Sequence, residues 1–112
     1  MMVEKTILDY LRSKTDVAVH MQRPEHPPEK YVLLEKTASQ QRGHIFVSML
    51  AMQSYAPSLY EAAELDEAMR GLMATAVELN EICSVSLNSD YNFTDPKTKQ
   101  YRYQAVFNIA HY

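Results

Sequence analysis

A chain of 112 residues, 46% hydrophobic and 22% charged, has room for one domain with a real core, spanning 1–112, and none for a second. Its formal charge of -3 removes the basic balance that nucleic-acid binding ordinarily needs, leaving only a local basic patch open. Two glycines and five prolines argue against a low-complexity tail, and the single cysteine, Cys83, cannot close an internal disulfide, so a cytosolic origin is expected.

The opening segment MMVEKTILDYLRSK lacks the long apolar run of a signal peptide, and no run of about 18 apolar residues occurs, so neither secretion nor membrane spanning is expected. Val3, Ile7, Leu8 and Leu11 recur at helical spacing, with Glu4, Lys5, Asp9 and Arg12 on the other side, which predicts a first helix over 3–13. Val17, Val19 and Met21 alternate with Ala18, His20 and Gln22 as in a short strand. Residues 23–30, RPEHPPEK, hold three of the five prolines and read as an exposed connection, because proline cannot donate to a sheet. Residues 31–35, YVLLE, form the next strand; residues 36–43, KTASQQRG, read as a polar loop or the tip of a long hairpin.

The longest strand is expected over 44–55, with Ile45, Val47, Met49, Ala51, Gln53 and Tyr55 on one face and Phe46, Ser48, Leu50, Met52 and Ser54 on the other. Both faces are partly apolar, which fits a central strand. Pro57 stops it. Ser58 and Glu61 then form a capping-box pair for the helix that organises the chain, with Ala62, Leu65, Met69, Leu72, Ala76 and Leu79 on its buried line. At about 1.5 Å per residue the helix from Ser58 to Leu79 is roughly 33 Å long. Residues 82–87 resume alternation, with Cys83, Val85 and Leu87 set against Ile82, Ser84 and Ser86, and residues 88–93 can extend that strand. Asp95-Pro96 marks a turn, and in 100–111 Tyr101, Tyr103, Ala105, Phe107 and Ile109 alternate with Arg102, Gln104, Val106 and Asn108 to close a hairpin.

The expected architecture is α+β: a mainly antiparallel sheet of about five strands with two helices on one face, in the order α-β-β-β-α-β-β. Loops too short for a crossover imply antiparallel neighbours, and the long helix supplies one crossover. The sheet face without helices would expose apolar side chains in a monomer. Phe46, Leu50 and Met52 are assigned to it and, with Tyr101 and Tyr103, are the candidate subunit-interface residues. Eight tyrosines and seven methionines, with no tryptophan, suit either a small core or surfaces that meet partners.

Catalytic signatures are sparse. His20, His26, His44 and His111 lack metal-site spacing, and with Gly43 and Gly71 the only glycines there is no phosphate cradle, so no metal, cofactor or catalytic residue is assigned. Glu61, Glu64, Glu67, Glu78 and Glu81 read as a solvated helix face, the early ones favouring the positive helix end. The stretch DYNFTDPKTKQYRYQ interleaves aromatics with Lys97, Lys99 and Arg102; it reads as a twisted hairpin with aromatic pairs or as a single-strand-binding surface.

The segments VLLEKTASQQRG, MQSYAPSLYEAAELDEAM and YNFTDPKTKQYRYQAVF, in this order, resemble the small tail-terminator or tail-completion proteins in the head-tail joining modules of long-tailed bacteriophages and prophages. The similarity covers most of the chain, and its distinctive pieces are E-K-T before the loop, Q-S-Y-A-x-S entering the helix, and D-P followed by R-Y-Q. The resemblance implies a non-enzymatic subunit of a homo-oligomeric ring, often a hexamer, that caps the tail tube and meets the head connector in the virion tail. It implies tail tube protein and connector as partners, no membrane, and no sequence-specific nucleic acid, with DNA passing through the ring. The alternative from the residues themselves is a small α+β ligand-binding or enzymatic domain of unknown substrate.

Overall fold

The computed structural model describes residues 2–112. Helix α1 (Val3–Lys14) is followed by strands β1 (Ala18–His20), β2 (Tyr31–Arg42) and β3 (Ile45–Ala56). Helix α2 (Leu59–Thr75), a 3-10 turn (Ala76–Glu78), and strands β4 (Ile82–Asn92) and β5 (Tyr101–His111) complete the chain. One sheet runs β1-β2-β3-β5-β4, and both helices cover the same face of it. The α+β class, the element order and the predominance of antiparallel pairing all agree with the sequence reading.

The core is one cluster between sheet and helices. Ile7, Leu8 and Leu11 of α1 and Leu65, Met69 and Met73 of α2 meet Val32, Leu34, Leu50, Met52, Phe107 and Ile109. α1 reaches α2 directly through the Tyr10 hydroxyl, 2.5 Å from Thr75 Oγ1. Half of the expected capping box forms: Glu61 N–H donates to Ser58 Oγ at 3.2 Å, but the Glu61 carboxylate accepts from the Ser58 hydroxyl at 3.0 Å and not from a backbone N–H. Ser58→Ala is therefore expected to cost about 1 kcal/mol in chemical denaturation. β3 and β4 both run antiparallel to β5 and so parallel to each other, with α2 as the crossover.

Several expectations are corrected. β1 is only three residues and pairs parallel with β2, not antiparallel. The proline-rich connection before β2 makes this feasible, because extended chain at about 3.1 Å per residue returns along so short a strand without a helix. Of the two readings of 36–43, the long hairpin is the one that forms: β2 is twelve residues long, and Gly43 at φ 63° makes the two-residue turn to β3 at a backbone angle where a Cβ is unfavourable. α2 ends at Thr75, four residues before the expected Leu79, and tightens into the 3-10 turn. A register shift between Ile82 and Ser84 puts Ile82 in the core beside Val85, although three positions separate them.

The largest correction concerns the two sheet faces. Leu50 and Met52 are fully buried beneath the helices, so neither is available to a second subunit. The face without helices carries Ile45, Val47, Met49, Ala51, Gln53 and Tyr55 instead. A central strand that is apolar on both sides shows the period of two but not which side the helices cover.

Candidate functional site

The uncovered face is built by β2, β3 and β5. Its middle is apolar: Leu33, Val47 and Met49 are half-buried, and Ala51 and Val106 are buried among them. Gln53 donates to Gln104 at 2.8 Å across the β3–β5 pair, so the amides at one end of the patch are satisfied. Two gaps between these three strands make the apolar face about 10 Å wide between strand axes, and twelve residues of β3 make it about 40 Å long.

From Glu35 to His44 every residue is exposed: β1 pairs with β2 only as far as Leu33, so this outer part of the β2–β3 hairpin is the open edge of the sheet, while β3 stays paired with β5 up to Phe46. This arm lies along the long axis of a molecule measuring 43 × 25 × 24 Å, whose longest dimension matches the length of β3. Of the candidate interface residues, Phe46 is half-buried close to the hairpin turn, on the helix-bearing face with Leu50 and Met52, and stacks on His111, ring centroids 5.6 Å apart. Tyr101 and Tyr103 are half-buried at the start of β5, opposite Ala56 and Ser54 on the helix-bearing face. The five residues therefore form no single patch. Ile45, Val47 and Met49, which do share the open face, were written in the sequence as the other half of the same alternation.

At one end of the open face, Tyr31 and Tyr55 stack with centroids 4.5 Å apart, and Arg102 lies over Phe93 at 4.5 Å. Arg102 Nε donates to Phe93 O at 2.7 Å and Nη1 to Tyr55 Oη at 2.8 Å. Its guanidinium is thus held between Phe93 of the closing hairpin and Tyr55 of β3, which supports the aromatic-pair reading of that stretch over a single-strand-binding surface. Tyr31 is buried with its hydroxyl unpartnered, and burial raises its pKa against the opposing pull of Arg23. Tyr31→Phe removes an unsatisfied polar atom and is expected to stabilise the fold by up to about 1 kcal/mol in urea titrations.

Two polar clusters lie on the helix side. Ser39 Oγ is 3.2 Å from Ser48 Oγ, and Ser48 Oγ is 2.8 Å from His111 Nε2. The three border a cavity of about 260 Å³ that Lys36 and Phe46 also line. The second cluster was not legible in the sequence. Asp66, on the buried side of α2, is 1% exposed; Arg70 Nε donates to its Oδ2 at 3.2 Å and also lies 3.3 Å from Asp90 Oδ2 on β4. Burial, then the adjacent Asp90 carboxyl, pushes the Asp66 pKa up to about 7 against the lowering effect of Arg70. Asp66 Oδ1 has no partner. No helix is long and apolar enough to cross a membrane among the described residues. No protein-family model matches the chain, and no curated protein matches it.

Proposed function

We propose that this chain is a structural tail protein of a phage or prophage, assembling into a ring that caps the tail tube and joins it to the head connector. The observation that carries this reading is the apolar sheet face left uncovered beside an exposed hairpin arm. Uncovered apolar patches of this kind mark surfaces that meet other proteins. The resemblance of the three sequence segments to tail-completion proteins supplies the class of partner. Light scattering of the purified protein, alone and with tail tube protein, is the test: a mass several times 12.9 kDa is expected. A strictly monomeric mass at high concentration in both samples overturns the reading.

A second reading, a small ligand-binding or enzymatic domain, draws on the Ser48–His111 pair at its cavity. A hydroxyl hydrogen-bonded to an imidazole is the first requirement of an activated nucleophile. Turnover of an activated ester that disappears in a folded Ser48→Ala variant favours this reading; identical rates in both proteins remove it.

A further inference from the structure

The outer side of α2 and the neighbouring strand β4 enclose an open trough of about 370 Å³, lined by Gly71, Ala74, Val85, Leu87 and Phe107 with Glu67 and Arg70 at its rim. Leu87 is 48% exposed, so part of this apolar lining faces water in a single chain. The rim charge is acidic in effect. Arg70 is engaged with Asp66 and Asp90, whereas Glu64 and Glu67 are exposed and form no ion pair among the described residues.

The hairpin arm has the opposite character. Between Lys36 and Phe46 there is no carboxylate, and Arg42, next to the turn, is exposed and forms no ion pair among the described residues. Ile45 and Val47 follow on the face without helices and give the arm an apolar side. Arm and trough belong to different elements of a rigid sheet, β2–β3 and α2–β4, so one chain cannot fill its own trough.

We propose that the β2–β3 hairpin arm of one copy docks in the α2–β4 trough of a second copy, Arg42 pairing with Glu67 while Ile45 and Val47 cover Leu87 and Val85. The proposal rests on the ring-forming reading and deepens it. A contact between two unlike patches of the same chain is head-to-tail, and such contacts propagate until a rotation closes them into a ring. Rim charges of opposite sign set the register of approach, and like charges there oppose it.

Charge reversal tests the pairing. Wild-type mass is measured first; then Arg42→Glu and Glu67→Arg are each expected to weaken self-association at least about tenfold, and the double variant to restore it to within a few fold. Ala74→Trp, at an exposed position, is expected to block the trough while leaving the thermal midpoint of the monomer unchanged. If wild type assembles and the single reversals assemble equally well, or the double variant stays impaired, this contact is overturned and the ring reading stands. If Ala74→Trp abolishes binding to tail tube protein but not self-association, the trough belongs to that partner and the proposal is wrong. A wild type that is monomeric throughout removes the ring reading and this contact together.

Discussion

Leu50→Ala is expected to destabilise the fold by about 3 kcal/mol, whereas Met49→Lys, one residue away, is expected to leave monomer stability within about 1 kcal/mol and to weaken self-association at least tenfold. Leu50 is fully buried between β3 and the helices, paired with Phe107, so truncation leaves a cavity that the surrounding core can only partly fill. Met49 is half-buried on the opposite face with Asn108 and Ala38 as its cross-strand neighbours. A lysine there keeps its stem on the sheet and its ammonium in water, at little cost to one chain. Inside an interface the same ammonium loses its water. Urea denaturation below the assembly concentration reads the first effect, and light scattering above it reads the second. A large stability loss for Met49→Lys with unchanged assembly would mean that the open face is covered within the subunit.

How far the fold could be read from the sequence follows from where periodicity meets burial. α1 and the buried line of α2 were legible because each has one wet side and one dry side, whereas in β5 Tyr101 and Tyr103 were assigned to an interface although they share the face whose Phe107 and Ile109 enter the core. β3 was legible as a strand, but its two apolar faces concealed which one the helices cover, and Leu50 and Met52 were assigned to the wrong side. The polar run after Glu35 was ambiguous for the opposite reason. The arm is wet on both faces, so its strand carries no alternation. Asp66 was hidden because its partners are non-local: a carboxylate one residue after Leu65 reads as part of a solvated helix until Arg70 and Asp90 of β4 are seen around it. The candidate site was legible only as the prediction that some apolar sheet face lies uncovered.

Asp66 gives the second large effect, through pH. Its carboxyl has an ordinary pKa of 3.8 and titrates at about 7 in the folded protein. Between those values the folded state holds a proton that the unfolded chain has released, so Asp66's contribution makes stability fall as pH rises. The contribution is fully present below about pH 4, is lost progressively at up to about 1.4 kcal/mol per pH unit, and levels off above about pH 7. Asp66→Asn keeps an oxygen that can accept from Arg70 Nε and removes the charge. It is expected to match wild type near pH 4 and to exceed it at pH 8 on the order of 2–4 kcal/mol, measured as the difference between urea titrations. Asp90→Asn provides the complementary shift: without the facing carboxylate, Asp66 ionises more readily, and the falling limb moves to lower pH. Carboxyl NMR titration follows this directly. If Asp66→Asn and wild type keep a constant stability difference from pH 4 to pH 8, Asp66 does not carry the buried proton, and the Arg70 bridge holds two ionised carboxylates instead.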